Sequence, residues 1–277
     1  MTMRTLIPLC LALLAPAAHA LTMSNDFTSH NGADWYAADG WKNGSPFDVG
    51  WRADHVSFAG GLMTLALDNQ PCVSNPALCS GEPYAGANYS SIGFFGYGRV
   101  EGRFQAASGA GVVSSLFTYT GPSDGNPHDE IDIEILGQDT GKMQINYFVA
   151  GVGGHEATID LGFDAAAGLH DYAFEWRPNR IDWWVDAVLV HSVTAGPLPT
   201  TPGRIMMNLW AVDATAEAWA GHYAGGATSA VYDSVSYHSL DVLGVLPEPS
   251  SLLLLSIGLG LLGWARLAAP NSPARAA

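Results

Sequence analysis

The stretch Asp129-Glu130-Ile131-Asp132-Ile133-Glu134-Ile135-Leu136 decides how the chain is to be read. In an extended strand successive side chains point to opposite faces. Glu130, Asp132 and Glu134 therefore share one face, and Ile131, Ile133 and Ile135 share the other. The isoleucine face belongs against a core. The carboxylate face does not, because three unpaired carboxylates are very costly to bury and no Lys or Arg interleaves them. Three readings stand for that face: an acidic solvent-facing strand, a calcium site, or a catalytic cluster. Clustered carboxylates push each other's pKa values apart, so one stays protonated as an acid while another stays ionised as a nucleophile. Glycoside hydrolysis needs that division of labour. Positions i and i+4 of a strand lie ~13 Å apart at Cα, from ~3.3 Å per residue. A retaining glycosidase holds its carboxyl groups ~5–5.5 Å apart. Two glutamates leaning together on a curved strand would close most of that gap, with Asp132 placed to hydrogen-bond either one.

Outward from this strand the chain keeps the same character. Runs rich in β-formers and bounded by Gly cover residues 56–58, 62–67, 97–106 and 112–119. Further runs cover 143–149, 157–161, 170–177, 181–185, 188–193, 204–210 and 231–238. Pro178-Asn179 and Asp186-Ala187 are compact turns between alternating runs, as hairpins require. Trp176, Trp183 and Trp184 fall in these back-to-back hairpin strands and are expected in the core. No long amphipathic helix and no repeat period is visible. Many short antiparallel strands mean an all-β fold, either two stacked sheets or a barrel.

The ends of the chain carry different information. Arg4 precedes an apolar run from Leu6 to Ala18, which closes on Ala18-His19-Ala20. That is the form of a secretory signal peptide over residues 1–20, cut by signal peptidase. Near the other end, Pro247-Glu248-Pro249 precedes an apolar run from Ser250 to Ala265, followed by Arg266 and Arg275. As a helix the run spans ~24 Å at 1.5 Å per residue, a little short of a relaxed membrane span. Residues 21–243 then form one large all-β domain. The formal net charge of −15 excludes a nucleic-acid partner, whose phosphates need a basic face, and suits a neutral ligand such as a sugar. After loss of Cys10, Cys72 and Cys79 remain in a Pro-, Asn- and Ser-rich loop, a spacing that suits one local disulfide in an oxidising compartment.

The sequence Glu130-Ile131-Asp132-Ile133-Glu134 matches the signature of glycoside hydrolase family 16. The flanks are similar to bacterial lichenases, endo-β-1,3-1,4-glucanases: Gly111 to Pro122 before it, then Gly151-Val152-Gly153-Gly154-His155-Glu156, Leu161 to Asp164 and Arg204 to Trp210 after it. The resemblance runs from about Trp41 to Tyr237. It implies a jelly-roll β-sandwich of two antiparallel sheets with a concave glycan cleft. It also implies retention of configuration, with Glu130 as nucleophile, Glu134 as acid/base and Asp132 as helper. Asn43, Tyr119, Asn146, Asn208 and Trp210 are implied as substrate-binding positions, of types that bond hydroxyls or stack on sugar rings. His128 stands where the family usually has an aromatic residue, and is expected to contact sugar or to adjust the acid/base pair. Asn88-Tyr89-Ser90 stands where lichenases carry Glu-Tyr-Arg, and Val49 and Gly86 occupy the places of a family disulfide.

The resemblance further implies a structural calcium, with the Asp233 side chain and backbone oxygens near Asp26 and Gly61 as ligands; catalysis itself needs no cofactor. The C-terminal segment 244–277 resembles the PEP-CTERM sorting signal of Gram-negative bacteria. That implies an exosortase-type processing partner, a transient or stable membrane insertion, and a protein exported to the cell surface or beyond. The expected function is hydrolysis of β-1,3-1,4-glucan. The alternatives are a hydrolase or transglycosylase acting on β-1,3-glucan, xyloglucan or an exopolysaccharide, and a surface protein that binds glycan without cleaving it.

Overall fold

A computed structural model describes residues 21–70, 81–240 and Leu243. The expected signal peptide, the Cys72–Cys79 pair and the sorting segment lie outside the described residues. The strands in chain order are β1 (Thr22–Asn25), β2 (Trp35–Ala37), β3 (Val49–Trp51), β4 (Val56–Ala59), β5 (Leu62–Leu67), β6 (Tyr84–Ser91), β7 (Gly98–Gln105) and β8 (Val112–Thr120). They continue as β9 (Asp129–Leu136), β10 (Lys142–Phe148), β11 (Ala157–Asp160), β12 (His170–Arg177), β13 (Arg180–Val185), β14 (Val188–Val193), β15 (Arg204–Ala211) and β16 (Thr228–Ser239). Among the described residues one short α-helix, α1 (Glu217–Ala220), accompanies them.

The strands form two eight-stranded sheets, which settles the choice between sandwich and barrel in favour of a jelly-roll sandwich. The first runs β14-β13-β12-β7-β16-β5-β4, with β1 also on β16. The second runs β11-β10-β9-β8-β15-β6-β2, with β3 joined parallel to β6. Alternation decides which face of each strand enters the core. On β9 the three isoleucines are fully buried, among them Ile133, which pairs with Leu116 of β8 and Ile145 of β10. Opposite them the first sheet contributes Phe104, Tyr172, Phe174, Trp183 and Tyr232, all fully buried. Burying a side chain of this size contributes about 1.5–3 kcal/mol, so this double layer dominates the stability of the domain. Two hydrogen bonds lock the sheets face to face. Trp183 donates to the backbone oxygen of Asp132 at 3.1 Å, and the Tyr232 hydroxyl donates to that of Ser115 at 2.9 Å. Both hold backbone directly beneath the carboxylate face.

Four strands, β1, β2, β3 and β6, lie where the sequence reading placed none. The most consequential is β6, whose Tyr-Ala-Gly-Ala-Asn-Tyr-Ser-Ser is nearly all buried although small and polar residues dominate it. Its side chains are satisfied by partners, as where Ser90 donates to Asn88 Oδ1 at 2.9 Å, so no apolar alternation is needed. The hairpins expected at Pro178-Asn179 and Asp186-Ala187 are present. Trp176 and Trp183 are core residues as expected, but Trp184 is not. It takes the opposite face of β13 from Trp183, is only partly buried, and has the Arg99 guanidinium 5.4 Å from its ring centre.

Candidate active site

The carboxylate face of β9 opens into a cleft of about 470 Å³. Antiparallel register builds its floor row by row. Glu130 lies opposite Tyr119 of β8, Asp132 opposite Phe117, and Glu134 opposite Ser115. One strand further, Arg204, Met206 and Asn208 of β15 continue these rows. Asn88 of β6 then lies opposite Asn208. On the other flank, Phe148, Asn146 and Gln144 of β10 face Glu130, Asp132 and Glu134.

All three signature carboxylates line the cleft, together with Asn43, Tyr119, His128, Asn208 and Trp210. Asn43 is held by Trp51, whose indole donates to its amide oxygen at 2.9 Å. Ser115 donates to Asn208 Oδ1. Asn146 is not part of the cleft wall. It is buried beside Asp132, with its oxygen accepting from His155 N at 3.2 Å and its amide 3.4 Å from Glu156 Oε1. Trp210 is only 3% exposed and packs on Phe47 at 4.0 Å between ring centres, so it presents a wall edge rather than an open platform. The exposed aromatic is Trp41, at 40%, which the sequence reading used only as the start of the resemblance.

The charges are arranged unequally. Burial, with the nearby charges of Glu130 and Glu156, pushes the Glu134 carboxyl up to about 8. Burial, Glu130 and Glu134 likewise hold Asp132 well above the usual carboxylate range, and it hydrogen-bonds Glu130. A protonated Asp132 is the donor in that bond. His128 Nε2 donates to Glu130 Oε2 at 2.5 Å. Glu130 is thus the acceptor of two donors, while its neighbours carry protons. Glu134 is braced by Gln144 at 3.4 Å, and Gln144 in turn accepts from the Trp219 indole at 2.8 Å.

Two contributors were missed in the sequence. Glu156 lies just before β11, and only the β10–β11 hairpin brings its charge to Glu134 and Asp132. Asp129 shares the parity of the isoleucines, so its carboxylate points away from the cleft. There it accepts from the backbone N–H groups of Ala150, Thr200 and Thr201 at 2.9, 2.9 and 3.0 Å. An acid on core parity was the available signal, since a buried carboxylate must find donors.

The positions implied for calcium are brought to one end of the first sheet. Tyr232 pairs with Met63 and Val235 with Asn25, which sets Asp233 beside the Gly60-Gly61 turn and the end of β1. The β16 register shifts between Tyr232 and Ser234, at Asp233. Its carboxylate lies 3.6 Å from Arg103 Nε, and Asp26 Oδ1 accepts from the Thr28 hydroxyl at 3.1 Å. The register brings the three positions to one end of the sheet, and the Arg103 guanidinium beside Asp233 would compete with a cation for its carboxylate.

Similarity to known proteins follows the same outline. Residues 43–226 match glycosyl hydrolases family 16. The chain is 48% identical to a β-glucanase of Bacillus subtilis over 213 residues, 76% of this chain and 84% of that one. It is 43% identical to a β-glucanase of Acetivibrio thermocellus over 256 residues, 90% of this chain and 74% of the other. Among solved structures, a prokaryotic β-1,3-1,4-glucanase (lichenase) from a mouse hindgut metagenome superposes with a TM-score of 0.73 at 41% identity, covering 78% of this chain and 98% of that one. The family match spans the signature strand and both walls of the cleft, and on that basis the chain belongs to glycosyl hydrolases family 16.

Proposed function

We propose that the protein is a retaining endo-β-glucanase that hydrolyses β-1,3-1,4-glucan by double displacement. The observation that carries this reading is the unequal trio. Glu134 holds a proton at neutral pH, and Glu130 accepts hydrogen bonds from His128 and Asp132 on the same face of one strand. In the first step Glu134 gives its proton to the glycosidic oxygen while Glu130 attacks the anomeric carbon, forming a glycosyl ester and freeing the aglycone chain. Esterification removes the Glu130 charge. That charge is one of the causes keeping Glu134 protonated, so the affinity of Glu134 for its proton falls and it becomes a competent base. It then takes a proton from water, which attacks the same carbon and releases Glu130. The relatives named β-glucanase and lichenase support the substrate class. The test is reducing-sugar release from mixed-linkage glucan, laminarin, xyloglucan and agarose, beside a Glu130→Gln control. Cleavage of mixed-linkage glucan that the control lacks supports the assignment, and silence on that polymer refutes it.

One observation favours a shifted glycan preference with the mechanism unchanged. Asn88 lines the cleft and Ser90 is committed to it, at positions where lichenases carry Glu and Arg. Activity on laminarin or xyloglucan in the same panel would identify that case.

The exported form is also part of this proposal: removal of residues 1–20, a Cys72–Cys79 disulfide, and exosortase-type processing of the segment beginning at Pro247-Glu248-Pro249. Intact-mass and peptide analysis of the protein from its host reads all three. A structural calcium at Asp233 is part of the same proposal, resting on the register that brings Asp233, Asp26 and Gly61 to one end of the sheet. It would compete with Arg103 for the carboxylate, and a melting temperature unchanged between calcium and EGTA would exclude it.

A further inference from the structure

His128 adjoins the signature strand and is an ionisable side chain of the cleft wall in direct contact with Glu130 that the double displacement leaves unused. Its ring stacks on Phe148, with 4.8 Å between centres and 15° between planes, and lies 5.2 Å from the Tyr119 ring. This packing fixes the imidazole plane, and with it the line from Nε2 to Glu130 Oε2. The contact engages the Oε2 oxygen of Glu130.

We propose that His128 is a positioning residue for Glu130 that sets the acid limit of activity: neutral, it holds the carboxylate ready to attack, and protonated, it ties it up in an ion pair. The inference rests on the assignment of Glu130 as nucleophile. An imidazolium weakens the nucleophile and opposes the positive charge that develops on the sugar in the transition state. The groups that face the imidazole are Tyr119 from β8, Asp129 and Glu130 from β9, and the uncharged Phe148 from β10. Asp129 is already satisfied by three backbone N–H groups, so Glu130 is the carboxylate that decides the proton on His128. That hydrogen bond, outweighing burial, raises the imidazole pKa above its ordinary value.

Two variants separate charge from packing. His128→Phe keeps the stack on Phe148 and loses the donor. His128→Gln keeps a donor and cannot titrate. The profile of kcat/KM against pH is read on whichever glucan the protein cleaves. In the wild type its acid limb is expected above the ordinary histidine value of about 6.5. In both variants the limb should move down by about two pH units, into the carboxylate range, with His128→Gln retaining more of the plateau rate. An acid limb that stays in place in both variants overturns the proposal. A second readout needs no substrate: NMR titration of the His128 imidazole in the wild type and in Glu130→Gln. The proposal requires its pKa to fall in Glu130→Gln, and an unchanged value overturns it. If none of the polymers is cleaved, the function assigned above fails while this titration still decides the pairing.

Discussion

Glu134→Gln tests the electrostatics of the site through stability as well as rate. The carboxyl titrates near 4.5 in an unfolded chain and is pushed up to about 8 in the fold. Between those values the folded state binds more protons than the unfolded state, so stability falls as pH rises through that window. The loss is about 1.4 kcal/mol per pH unit. From about pH 6 to the plateau above about pH 8 the wild type should lose about 3 kcal/mol on account of Glu134 alone. A glutamine keeps the shape and removes the titration. Urea unfolding at about pH 6 and about pH 9 should therefore show the variant gaining about 3 kcal/mol on the wild type between the two conditions. The same substitution removes the acid, so kcat on polymer should drop by about 10²–10⁴. An aryl glycoside whose leaving group needs no protonation should be spared in the first step. Parallel pH dependence of stability in the two proteins would refute the argument, because Glu134 would then ionise as easily in the fold as out of it.

Asp129→Ala strands three backbone donors from two loops and should destabilise by about 3 kcal/mol or more in urea titration. Burial works to raise the Asp129 carboxyl and the backbone donors outweigh it, leaving it below the ordinary value. Its stabilisation is therefore present at neutral pH and lost as pH falls through the folded value, and wild type and variant should converge in acid. Ala187→Gly should stabilise by about 1 kcal/mol in the same assay, because the β13–β14 turn holds Asp186 and Ala187 at φ 46° and 63°, where glycine is unstrained. Gly111→Ala should leave little folded protein by circular dichroism, since an added Cβ would sit 2.2 Å from Tyr223 N at a φ of 75°. Trp219→Phe removes the donor that holds Gln144 against Glu134, and should lower kcat several-fold with KM nearly unchanged.

The central strand was legible because its alternation is nearly complete: isoleucine inward, carboxylate outward, with strong β-formers on both sides. The same rule located the hairpins and most of the first sheet. It failed at β6, where Ser90 bonds Asn88 and Ser91 bonds the Gly93 carbonyl, so buried polar side chains are satisfied and no periodic apolar signal exists. It failed at Trp184 because adjacent residues of a strand cannot both face one core, however large they are. Within the site, the trio, Asn43, Tyr119, Asn208 and Trp210 gather at one cleft, and Asn146 is buried beside Asp132 on its flank. Glu156 was hidden because its effect is carried through space: it enters by the β10–β11 pairing and acts on Glu134 without sharing its strand. His128 was visible in sequence, but its contact with Glu130 depends on the ring orientation that Phe148 imposes.

The most direct test of the account is the anomer first released from mixed-linkage glucan, followed by proton NMR before mutarotation. Double displacement through Glu130 predicts the β-anomer first, and no product from Glu130→Gln. Release of the α-anomer first would mean that water attacks directly, with Glu130 acting as a base rather than a nucleophile, and would contradict the mechanism proposed for this cleft.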